Sequence, residues 1–66
     1  MHDQFHDPGQ SVAQAAAAMT DVELDAAIAA LHERERRLLI AGDVESARQV
    51  AMDKSVCLSD QARRGR

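Results

Sequence analysis

From Thr20 onward the large apolar residues fall at Leu24, Ile28, Leu31 and Leu38, with Glu35 interrupting the row. The steps are four, three, four and three, which places all five side chains on one stripe of an α-helix. Ala27 and Ala41 flank the stripe. The row opens with Thr20-Asp21-Val22-Glu23, a capping box in which Thr20 and Glu23 each satisfy an otherwise orphaned amide. Asp21, Glu23 and Asp25 sit where the helix dipole favours negative charge, and Arg34, Arg36 and Arg37 lie toward the other end. Glu33 and Arg37 have the favourable order for a pair one helical turn apart.

The pattern breaks at Ala41-Gly42-Asp43. Gly42 stands where a helix commonly ends in a left-handed residue, and Asp43 is a suitable cap for a following helix. A second, thinner apolar face then runs through Val44, Ala47, Val50 and Ala51 to Cys57 and Leu58, with Lys54 inside it. Asp60 can pair with Arg63 or Arg64, and residues 64–66 read as a frayed tail. Upstream, residues 1–10 have no period, and Pro8-Gly9 reads as a breaker, so residues 1–19 are expected to form a flexible arm. Within it, 11–19 is alanine-rich and capped by Ser11. A helix this short is marginal alone in water and forms only if it docks. The expected fold is all-α: an antiparallel two-helix hairpin over about 20–41 and 43–62, with a flexible or partly helical N-terminal arm.

Composition makes that hairpin incomplete. The 66 residues include five Leu, two Ile, five Val and one Phe, against thirteen Ala, so little area is available for burial. Chains of this size usually need a staple, and a lone Cys57 excludes an internal disulfide. Leu38, Leu39 and Ile40 are consecutive and cannot all face one neighbour. These features predict a homodimer that closes a four-helix bundle.

Charge narrows the partners. The net charge of −3 divides into −2 over residues 1–20, −2 over 21–41 and +1 over 42–66. No concentrated basic face emerges, and Phe5 is the only aromatic, which leaves few stacking platforms for single-stranded nucleic acid. The single cysteine fits a reducing compartment, and residues 12–19 are too short to span a bilayer, so a cytoplasmic protein without membrane partners is expected. The abundance of alanine and arginine is of the kind met in GC-rich bacteria and their phages.

Few residues invite chemistry. His2 and His6 have a helical metal spacing beside Asp3 and Asp7, but in an arm without helical period. His32 falls off the stripe and reads as exposed. Cys57 reads as a small core residue beside Leu58; a reactive thiol would need an electropositive setting. Glu35 could fix register or partner choice if an arginine, or Lys54 of the facing helix, neutralises it. No phosphate loop, CxxC, HExxH or Ser-His-Asp set occurs, so neither catalysis, a metal nor a cofactor is expected.

The stretch LLIAGDVESARQVA, residues 38–51, is similar to the inter-helix turn of tetratricopeptide-type hairpins and, more loosely, to the UvrB/UvrC-type helical hairpin. The chain departs from both: the aromatic positions of the first are missing, and Lys54 stands where the second has an aliphatic residue. The resemblance implies only that such hairpins bury their faces against other helices. The expected function is therefore non-enzymatic: self-association and binding of another protein, as adaptor, assembly subunit or inhibitor. The expected contact residues are Leu24, Ile28, Leu31, Glu35, Leu38, Ile40, Val44, Val50 and Leu58. The alternative is a dimeric four-helix regulator that binds nucleic acid through Arg34, Arg36, Arg37, Arg63 and Arg64.

Overall fold

The computed structural model describes residues 8–65, with side chains from Val12 onward. The described chain is all-helical, with α1 over Pro8–Ala18, α2 over Asp21–Ile40 and α3 over Val44–Arg63. The expected hairpin of α2 and α3 is present, but the fold has three helices rather than two. What the sequence presented as an arm contributes a helix of 11 residues. Proline is compatible with a first helical position, where its missing N–H has no partner to lose. Pro8 thus starts α1 rather than breaking the chain, and docking against α3 stabilises a helix too short to stand alone.

Local chemistry sets the boundaries. The Thr20 Oγ1 accepts from the Glu23 amide at 3.1 Å, and the Glu23 Oε1 accepts from the Thr20 amide at 2.9 Å. Both halves of the capping box are therefore formed. At the other end of α2, Gly42 takes a φ of 82°. Its amide donates to the Leu39 carbonyl at 3.0 Å, and the Asp43 amide donates to the Leu38 carbonyl at 2.9 Å. These two bonds are the Schellman pattern, which satisfies carbonyls that the helix end would otherwise orphan. Asp43 then caps α3, its Oδ1 accepting from the Ser46 amide at 3.2 Å.

α3 is the central element. α2 and α1 both pack on it, whereas α1 and α2 barely meet. The core is small. Ala16 of α1, Leu24 of α2 and Cys57 of α3 meet at its centre, and Val12, Met19, Ile28 and Leu31 pack around them. Ala47 and Val50 continue it toward the turn, and Leu24 is the one large side chain that is fully buried among the described residues.

Arg64 ties the three helices together. Its guanidinium donates to Asp60 Oδ2 at 2.7 Å, to Asp21 Oδ1 at 2.8 Å, and to the carbonyls of Ala16 and Met19 at 2.9 and 2.8 Å. One side chain thus satisfies the end of α1, the start of α2 and the buried carboxylate of α3. Asp60 is 6% exposed and also accepts from Arg63, so its charge is paired rather than stranded. The tail expected at 64–66 is in this respect different: Arg64 is anchored by partners 43 to 48 residues away.

Candidate interaction surface

Because α1 and α2 both pack on α3 but barely meet each other, a groove opens between them. Its walls are Val12, Ala15 and Met19 on one side and Ala27, Ala30 and Leu31 on the other, with Asp53 and Cys57 at the floor. The space is about 340 Å³ and almost wholly apolar. A second groove of about 290 Å³ adjoins it, sharing Leu31 and Asp53 and running on past Arg34, Leu38, Gln49 and Val50 to Ser46. Together they form one trough along the α2–α3 face, from α1 toward the turn. Small residues on the walls let another backbone approach closely, and Asp53 and Arg34 are the only charged residues lining it.

The residues expected to contact a partner separate into three groups. Leu24 and Val50 are buried inside the chain, and they serve the core rather than an external interface. The same stripe that could have faced a partner is used by α2 to pack on α3. Ile28, Leu31 and Leu38 are half-buried, and the last two line the trough. Ile40, Val44 and Leu58 are exposed, with Leu39, Val22 and Met52 similarly uncovered. Leu39, Ile40 and Val44 are uncovered on either side of the turn; Leu39 and Ile40 follow Leu38 directly and cannot share its half-buried face. The proximity of Cys57 to Leu58 in sequence does not carry into the core, because the former faces inward and the latter outward.

Glu35 has an internal partner. Lys54 Nζ donates to its Oε1 at 2.6 Å, and both side chains are about one-fifth exposed. The same ammonium lies 3.3 Å from Nδ1 of the exposed His32. This polar cluster interrupts the apolar α2–α3 seam.

Four of the five arginines of the nucleic-acid alternative stand against carboxylates. Arg36 and Arg37 both donate to Glu33, at 3.1 and 3.3 Å from Oε2. Arg36, with Arg37 beside it, holds the Glu33 carboxyl below its usual range, and Glu33 in turn raises the pKa of Arg36. Arg63 pairs with Asp60. Arg64 is held by Asp21 and Asp60, which raise its already high pKa. Arg34 differs: among the described residues it has no ion-pair partner.

The Cys57 thiol is pushed up by burial and by the nearby charges of Asp53 and Asp60, which is the reverse of nucleophile activation. Among the described residues no three His, Cys, Asp or Glu side chains gather as a metal site, and His2 and His6 lie outside those residues. No described helix is long and apolar enough to cross a membrane. The sequence drew attention to Glu35 and the arginine clusters; it gave no sign of the trough, which depends on where α1 docks. Comparison with protein-family models, curated proteins and solved structures finds no match for the chain.

Proposed function

We propose that this chain is a small non-enzymatic interaction module that self-associates and, in that form, serves another protein as adaptor, assembly subunit or inhibitor. The observation that carries the reading is the trough: an apolar groove beside α1 that runs on into a mixed polar and apolar groove toward the turn, on a chain whose own core holds one fully buried large side chain among the described residues. Apolar surface of this extent next to so small a core is stabilised by covering it with another helix. The exposed patch of Leu39, Ile40 and Val44 offers a further surface for the second protein once the trough is occupied. A reducing, cytoplasmic setting is part of the proposal, resting on the single cysteine.

The nucleic-acid alternative has less support, since Arg36, Arg37, Arg63 and Arg64 are matched by carboxylates and, of the five, Arg34 alone has no carboxylate partner among the described residues. Sedimentation of the full chain over a range of concentrations, at low and high salt, tests the reading. Self-association that persists at high salt is expected, because apolar packing is not screened. A chain that stays monomeric, yet binds a random-sequence duplex with steep salt dependence, would transfer the function to the arginines.

A further inference from the structure

Two charged groups in the trough lack good partners. Arg34, on the α2 wall, has no ion pair among the described residues, unlike its neighbours Arg36 and Arg37. Asp53, on the α3 floor, is half-buried, and among the described residues its one side-chain hydrogen bond is a long 3.5 Å contact from the Gln49 amide. A half-buried carboxylate with so weak a partner is open to pairing with a cation brought by another molecule. The groove therefore asks for an occupant that is apolar, slender enough to fit between alanines, and equipped with one positive and one negative charge. The α2 wall of a second copy, with Ala27, Ala30, Leu31 and Arg34 on it and Asp53 beside it, has these properties. In a two-fold pair each surface patch meets itself, so that residue i contacts residue j of the partner and j contacts i. The trough is self-complementary in that sense, with one cation, one anion and apolar walls between.

We propose that the trough between α1, α2 and α3 is the homodimer interface, in which Arg34 of each copy pairs with Asp53 of the other across Ala27, Ala30 and Leu31. The proposal rests on the self-association reading above and adds its location and register. The wall from Ala27 to Leu38 is about 17 Å long, room for some three turns of a facing helix. Ala30 is exposed and small, which permits the α2 backbones to approach closely. Pairing of the two charges also selects the partner: a surface with two like charges at these positions is repelled.

The test is a mixing experiment on the full chain. Arg34→Glu and Asp53→Arg are made separately, and dimer dissociation constants are measured by sedimentation. Each variant alone places like charges opposite one another, and dimerisation is expected to weaken by roughly 10- to 100-fold. Mixing the two variants puts opposite charges together at both contacts, and heterodimers of near wild-type affinity are expected. Rescue by mixing separates a contact between copies from a fold defect in either one. Ala30→Arg provides a second check: it should abolish the dimer while leaving the helical circular dichroism of the chain in place. Unchanged dimerisation in all three variants would overturn this interface and leave self-association through another face. Two weakened variants that fail to rescue each other would also overturn it. A wild-type chain that never dimerises would overturn both this interface and the reading it rests on.

Discussion

Replacing Glu35 with leucine separates two accounts of the α2–α3 seam. On the sequence alone, a charge at a stripe position costs stability, and leucine should be better. The structure reverses the sign. Lys54 Nζ lies 2.6 Å from the Glu35 carboxylate, and each side chain is about one-fifth exposed. At that distance the gross attraction is about 6 kcal/mol with an effective dielectric constant near 20. Desolvation offsets most of it, at several kcal/mol per buried ion. Exposed pairs are worth about 0–1 kcal/mol, and breaking a buried one costs about 3–5. This pair lies between, so Glu35→Leu should destabilise by about 1–3 kcal/mol, chiefly by stranding the Lys54 ammonium. For a domain of this size that lowers Tm by roughly 4–8 °C per kcal/mol. The double variant Glu35→Leu/Lys54→Met removes both charges and should recover most or all of the loss. Urea melts of wild type, Glu35→Leu, Lys54→Met and the double variant give the coupling energy directly. A single variant more stable than wild type, or a coupling energy near zero, would refute the argument and return Glu35 to the status of a solvated interruption.

Other perturbations probe other parts of the structure. Leu24→Ala should cost about 2–5 kcal/mol, against a total of about 3–10 for a chain this long, so it should leave a substantial unfolded population in thermal melts. Gly42→Ala forces a side chain into the positive-φ position and should cost about 1–2 kcal/mol; equal stability would show that the turn relaxes to another form. Arg64→Ala should release α1, reducing the helical circular dichroism by up to the share of its 11 residues, while α2 and α3 remain paired. The raised pKa of Cys57 means that the unfolded chain loses this proton at lower pH than the folded one. Its contribution to stability is therefore intact below the ordinary thiol value of 9.0 and declines as pH rises above it, a slope that Cys57→Ala should remove.

The two long helices are written in local signals. The capping box at Thr20 and Glu23, the left-handed Gly42, the Asp43 cap and the pairing of Asp60 with both following arginines all act within a few residues and could be read directly. The third helix could be read only in part, as a short helix over 11–19 that forms if it docks. Residues 8–18 carry weak helical signals and a proline-glycine start, and what stabilises them is docking on α3 together with Arg64, whose contacts reach back 43 to 48 residues. For the same reason the trough was invisible: Ala15, Ala27 and Ala30 are unremarkable in a sequence, and they become a wall only when α1 is in place. The apolar stripe of α2 was legible as a buried seam, but periodicity does not say whether the covering helix belongs to the same chain. Leu24 shows that it does.

The most direct test of the trough as the surface covered between copies is an isotope-filtered nuclear Overhauser experiment on a mixture of labelled and unlabelled chains, which records contacts between molecules alone. The account predicts intermolecular contacts from the methyl groups of Leu31 and Leu38 to Ala27 and Ala30 of the other copy. Contacts confined to Ile40, Val44 and Leu58, or none at concentrations where the dimer is formed, would contradict it.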